Sequence, residues 1–179
     1  IAVLDPLKLT IDNYPQAQEE DCLAPNHPQQ PELGKRVVKF SKEVWIERDD
    51  FMEAPPKGFF RLQPGGEVRL RYGYIVKCVS VDKDAAGNVT AVHCTYDPLT
   101  KSGSQNLDAH KAPGEQRKVK GAIHWLAAAH AKSFKVRLYD RLFTVEAPGT
   151  ARDYKDDMNP QSKRIISAYG EAALADAQP

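Results

Sequence analysis

Cysteine is scarce in this 179-residue chain, which carries only Cys22, Cys78 and Cys94. An odd, widely spaced set of three fits neither a disulfide framework nor a Cys-x-x-Cys metal site. The expectation is therefore three small buried thiols and no bound metal. Long apolar runs are missing too, since none approaches the roughly 20 residues a helix needs to cross a bilayer. The N-terminus lacks the charged and apolar regions of a signal peptide, so the reading is a cytoplasmic protein without a membrane partner. Net charge is only +1, which is little for a chain devoted to nucleic acid, so phosphate contacts must come from local groups of basic residues. No Gly-rich phosphate loop, Gly-x-Ser-x-Gly elbow or His-Glu-x-x-His helix is present. His124 and His130 have no carboxylate at a helix-like ligand spacing and read as structural histidines bonded to backbone. No catalytic residue is predicted.

What the sequence does have is strand alternation. Leu7, Leu9 and Ile11 alternate with Lys8, Thr10 and Asp12, the period of a strand with one face on a core. Val68, Leu70 and Tyr72 alternate with Glu67, Arg69 and Arg71. This predicts Arg69 and Arg71 on one strand face, roughly 6.5 to 7 Å apart, a spacing that suits phosphates. Residues 75–81 and 89–96 flank a turn-rich Asp82–Asn88 stretch and read as a hairpin. Val119, Gly121, Ile123 and Trp125 alternate with polar or small residues, and 136–145 holds further strand material. Helical signal is thin: short helices are predicted at Arg48–Glu53, with Asp49 and Asp50 as caps, and near Glu171–Ala177. Residues 98–114 are polar, without periodicity, and read as a mobile excursion between strands. Basic residues gather in Lys35-Arg36, Arg61-Arg69-Arg71, Lys111-Arg117-Lys118-Lys120 and Lys132-Lys135-Arg137-Arg141. Many short strands and few helices predict an all-β barrel or sandwich, in which closure hides strand edges.

The run Ile123-His124-Trp125-Leu126-Ala127-Ala128-Ala129-His130-Ala131 is followed at once by Arg137-Leu138-Tyr139-Asp140-Arg141-Leu142-Phe143. Together they resemble a signature of the glutaminyl-tRNA synthetase anticodon-binding region. The likeness extends to Asp5-Pro6-Leu7-Lys8-Leu9, Pro25-Asn26-His27-Pro28, Val44-Trp45-Ile46-Glu47-Arg48-Asp49-Asp50-Phe51 and Glu67-Val68-Arg69-Leu70-Arg71, covering nearly the whole chain in order. The resemblance implies two small β-barrels, related in fold to the ribosomal protein that binds 5S rRNA. Residues 27–143 would form the distal barrel, with 1–26 and 144–179 part of an incomplete proximal one. Trp45, Trp125, Leu138 and Leu142 are expected in the distal core. The opening Ile1, in place of Met, points to a piece of a longer protein.

The resemblance also implies roles for residues. Arg61 would read guanine at the third anticodon position, for which a guanidinium fork is chemically suited. Arg69 would hold the first-position nucleotide and its phosphate, with Arg71 beside it. Gln29 is a loop candidate. Glutamine and lysine are usual in the family where this chain has Gly58 and Phe60, so Phe59 and Phe60 become candidates for stacking on an unpaired base. The plainer expectation makes the arginines solvated strand residues paired with acids such as Glu67, and at least one phenylalanine core. The implied partner is the anticodon stem-loop of tRNA(Gln), bound by a monomer. The parent enzyme would attach glutamine using ATP. No cofactor is expected in this piece, ATP and Mg belonging to a catalytic half whose motifs are absent. A stand-alone RNA-binding barrel and a glutamyl-tRNA synthetase region are the alternatives.

Overall fold

The computed structural model describes residues 1–103 and 119–176. In chain order its strands are β1 (Ala2–Val3), β2 (Pro6–Ile11), β3 (Glu20–Pro25), β4 (Lys35–Phe40), β5 (Glu43–Glu47), β6 (Glu67–Leu70), β7 (Ile75–Lys83), β8 (Val89–Tyr96), β9 (Ala122–Ile123), β10 (Leu126–Ala127), β11 (Lys132–Tyr139) and β12 (Lys163–Gly170). The all-β expectation holds among these residues, where helical turns are short 3-10 segments.

One sheet runs β10-β5-β2-β8-β7-β6-β9. Its two edge strands, β9 and β10, are separated in sequence only by His124 and Trp125. Three peptide steps reach at most about 11 Å, whereas seven strands laid flat would span about 29 Å. The sheet therefore curls until its edges meet across residues 122–127. Alternation decides which side chains enter: Leu7, Leu9 and Ile11 of β2, and Val68 and Leu70 of β6, are buried, while Lys8, Thr10, Glu67 and Arg69 are not. The core also takes Phe40, Val44, Ile46, Val76, Val92, Ile123 and Trp125. At about 25 cal/mol per Å² of apolar surface, this burial is the main force holding the curl.

The β3–β4 ribbon pairs Glu20↔Phe40 through Pro25↔Lys35 and has no counterpart in the expectations from sequence. Its pattern is disguised because the small Cys22 and Ala24 face the core, while Leu23 and its partner Val37 face out. A third sheet, β1-β12-β11, pairs Lys132–Tyr139 against Lys163–Gly170 over its whole length. Glu171 joins the ribbon to this sheet: it accepts from the Arg36 Nε at 3.0 Å and from the Ile1 amino group.

The sheets do not divide at residues 26/27 and 143/144. β2 lies in the curled sheet beside β5 and β8, while β11 pairs with β12. Trp125 is buried as expected, but Trp45 is only half-buried, stacking on Tyr169 at 5.1 Å. Leu138 is half-buried and Leu142 is 52% exposed, because both follow the three-stranded sheet and its trailing loop. The helix expected at 48–53 is a single 3-10 turn, Arg48–Asp50, with no side-chain cap, since Asp50 faces Arg61 instead. The helix expected at 171–177 is a 3-10 segment, Ala172–Asp176. Of the expected excursion, Pro98–Thr100 forms a capped 3-10 turn, and residues 104–114 lie outside the described residues.

Candidate nucleic-acid interface

Three arginines meet along β9. The Arg69 backbone N–H donates to the Gly121 carbonyl at 2.9 Å and the Arg71 N–H to Ile123 at 2.9 Å. Between them, the Arg61 guanidinium donates from Nη1 to the Ala122 carbonyl at 3.2 Å. The successive carbonyls of Gly121, Ala122 and Ile123 thus gather residues from two places in the sequence.

Each arginine is placed differently. Arg61 sits on a segment held to residues 50–52: Leu62 N–H donates to Asp50 O at 2.9 Å and Met52 N–H to Leu62 O at 3.1 Å. Its Nε lies 3.0 Å from Asp50 Oδ1, with the Arg61 side chain 47% and the Asp50 side chain 13% exposed. Burial pushes the Asp50 carboxyl upward against the opposing pull of the Arg61 charge. Arg69 is half-buried and donates from Nη1 to Thr100 O at 2.7 Å and to Ser102 Oγ at 3.3 Å. Thr100 is itself buried, its Oγ1 accepting from Ile75 N–H at 2.9 Å, so the carbonyl that holds Arg69 is fixed. Burial lowers the pKa of the Arg69 guanidinium, which still keeps its charge.

Arg71 corrects the strand reading. β6 ends at Leu70, and Arg71 and Tyr72 form a turn closed by Gly73 N–H to Leu70 O at 2.9 Å. Tyr72 adopts φ 64° there, a left-handed conformation that non-glycine residues take only when the surroundings impose it. Arg71 therefore stands exposed on a turn and not two places along a strand from Arg69.

Neither Phe59 nor Phe60 enters the core. Phe59 is half-buried, while Phe60 is 54% exposed with the Lys120 Nζ 5.3 Å from its ring centroid. Gly121 makes this approach possible, because a Cβ there would lie 2.0 Å from the Phe60 carbonyl oxygen. Gln29 belongs elsewhere, exposed at the tip of the β3–β4 ribbon, its N–H donating to His27 Nδ1 at 3.2 Å. The arrangement can present guanidinium donors, an ammonium and an exposed ring to a single-stranded polyanion. Asp50, Lys120 and Gly121 were missed as site residues. Lys120 was visible as part of a basic run and Gly121 as an inward place in the alternation, but nothing local tied either to Phe60.

The two histidines also differ from expectation: each ring faces a carboxylate and not backbone. His130 Nε2 lies 2.8 Å from Glu19 Oε1, and the buried His124 Nε2 lies 3.8 Å from Glu47 Oε1. Cys22, Cys78 and Cys94 are buried free thiols. Among the described residues no three His, Cys, Asp or Glu side chains converge as metal ligands. No helix among them is long and apolar enough to cross a membrane.

Residues 1–97 match the model of the anti-codon binding domain of class I tRNA synthetases (E and Q). The chain belongs to this family. Residues 122–179 match a second anti-codon binding domain model of the same synthetases. The chain is 57% identical over 180 residues to the glutamine–tRNA ligase of Cupriavidus necator, covering all of this chain and 30% of that protein. It is 54% identical to that of Nitrosomonas europaea, again over the whole chain and 31% of the relative. With the Salmonella choleraesuis ligase it shares 51% over 174 residues, 97% of this chain and 30% of the relative. The chain thus spans about 30% of the length of these ligases.

Proposed function

We propose that this chain is the anticodon-reading part of a cytoplasmic glutamine–tRNA ligase, and that it grips the anticodon loop of tRNA(Gln). The observation that carries the reading is the convergence of Arg61, Arg69 and Arg71 on the successive carbonyls of Gly121, Ala122 and Ile123 beside the exposed ring of Phe60. In this reading Arg61, tethered by Asp50 and Ala122, turns its remaining N–H groups to the guanine at the third anticodon position. Arg69, anchored on the 98–102 turn, holds the first-position nucleotide and its phosphate, and Arg71 adds charge from its turn. Phe59 and Phe60 flank the loop. Gln29 contributes from the ribbon tip. Attachment of glutamine with ATP and Mg belongs to the rest of the protein. The sheet of β1, β11 and β12 is assigned to the proximal barrel, and the curled sheet with its ribbon to the distal one.

The test is binding of a tRNA(Gln) anticodon stem-loop to the full-length protein, against a hairpin of equal length and unrelated loop sequence. Preference for the cognate loop, reduced in Arg61→Ala and Arg69→Ala, is the expected outcome. Equal binding of both hairpins sinks the reading.

A further inference from the structure

We propose that Lys120 and Phe60 together form an additional nucleotide-binding element beside Arg61, the ring taking an unpaired base and the Lys120 ammonium the adjoining phosphate. This rests on the RNA-binding reading above.

The geometry supports it from three sides. The ammonium of Lys120 stands 5.3 Å from the Phe60 centroid, within the range at which a cation is attracted to a ring face. Phe60 nevertheless remains 54% exposed, so ring surface is left for a second flat partner, as single-strand binders use their aromatics. The pair is continuous with the arginine cluster: Phe60 precedes Arg61 in sequence, and Lys120 lies two residues before Ala122, whose carbonyl the Arg61 guanidinium holds.

The spacing is built in by Gly121. Any side chain at that position would collide with the Phe60 carbonyl, since an added Cβ falls 2.0 Å from its oxygen. The two segments therefore run in close contact, which brings the Lys120 backbone beside Phe60 and its ammonium within reach of the ring.

Charge gives the element a task that Arg61 does not meet. The Arg61 guanidinium is paired with the little-exposed Asp50 carboxylate, which offsets its charge toward a phosphate while leaving donors for a base edge. Lys120, on an exposed position of the same surface, supplies cationic charge on a flexible stem suited to a phosphate. Base edge, base face and phosphate are then served by Arg61, Phe60 and Lys120 respectively.

The experiment measures binding of the anticodon stem-loop to the full-length protein across a range of salt concentrations. Lys120→Ala, Lys120→Arg and Phe60→Ala are compared with Arg61→Ala and Arg69→Ala, and each variant's thermal midpoint is checked. Lys120→Ala is expected to weaken binding and make the salt slope shallower by about one unit, with Lys120→Arg restoring both. Phe60→Ala is expected to weaken binding at least about fivefold, and this loss should vanish on one loop in a series carrying a single abasic nucleotide at each position. If Lys120→Ala and Phe60→Ala leave affinity and salt slope unchanged while the arginine variants lose binding, the element is refuted and the anticodon-binding reading stands. If the unaltered protein does not prefer the stem-loop over an unrelated hairpin, both fall together.

Discussion

The indole N–H of Trp125 donates to the Arg71 carbonyl oxygen at 2.8 Å. This bond links the segment that closes the curled sheet to the turn carrying the exposed Arg71. Trp125 is also buried against Phe40, with ring centroids 5.0 Å apart in an edge-on arrangement, so its ring packs the core while its polar atom fixes the turn. Replacing it by phenylalanine keeps an aromatic body but leaves the Arg71 carbonyl without its donor. Trp125→Phe is expected to lower stability by about 1–3 kcal/mol, from the lost bond and the smaller ring. Chemical denaturation with an unchanged m-value checks it, and a midpoint equal to the parent's would show that the bond contributes nothing.

Arg61 and Arg69 should fail in different ways. Arg61→Ala removes donors aimed at a base, so it should cost about 1–3 kcal/mol and relax the preference for guanine at the third anticodon position. Arg69→Ala removes a mainly phosphate contact, weakening all stem-loops alike and making the salt slope shallower by about one unit. Titrations with stem-loops substituted at the third position, repeated at several salt concentrations, separate the two. The roles assigned here are wrong if Arg61→Ala keeps its discrimination or Arg69→Ala changes preference without changing salt dependence.

Alternation made β2, β6 and most of the 75–96 hairpin legible, because their large apolar residues face the core and their polar ones face out, apart from Val79, exposed at the register shift between Cys78 and Ser80. It failed on β3, where the small Cys22 and Ala24 are inside and Leu23 outside, and at Val37 of β4, which faces out beside Leu23. It also overran at Arg71, since alternation cannot show that Leu70 bonds across a turn to Gly73 and Tyr74. For the candidate site, sequence pointed to Arg61, Arg69 and Phe60 through resemblance. Their meeting beside Lys120 depends on parallel pairing between β6 and β9, some 50 residues apart in the chain, and the presence of Asp50 on the bridge between Phe51 and Leu62, neither of which any local pattern encodes.

Glu20 anchors the ribbon to the barrel and should set an acid limit on the fold. Its carboxylate accepts from Tyr14 and Tyr74 hydroxyls at 2.8 Å each and from Lys101 Nζ at 2.6 Å. Burial pushes its pKa up, but the bonds from Lys101, Tyr74 and Tyr14 prevail and hold it down at about 2, from an ordinary 4.5. A carboxyl depressed in the folded state contributes stability that is present above the unfolded value and lost as pH falls through the folded one. Stability should therefore decline between about pH 4.5 and about pH 2 through this group. Glu20→Gln should weaken the fold at neutral pH and flatten that decline. Unfolding midpoints measured across this range test it, and an acid limb as steep in the variant as in the parent would remove Glu20 from the account.

His93 should act in the opposite direction. Its Nδ1 lies 2.9 Å from Asp12 Oδ1 and its Nε2 lies 3.0 Å from Asp82 Oδ2. Ionised carboxylates only accept, so both ring nitrogens must donate, which requires the imidazolium. The bonds to Asp12 and Asp82 raise its pKa against the opposing effect of burial. The cation ties β8 both to the residue that follows β2 and to β7. A histidine raised in the folded state contributes stability fully present below its unfolded pKa of about 6.5 and lost as pH rises through the folded value. The parent should therefore lose stability on the alkaline side of about 6.5, while His93→Gln, which carries no titrating charge, should show a flatter profile there and a lower stability near pH 6. Urea midpoints from pH 5.5 to 9 decide the matter: if parent and variant run parallel over that whole range, His93 is not held as a cation between the two aspartates.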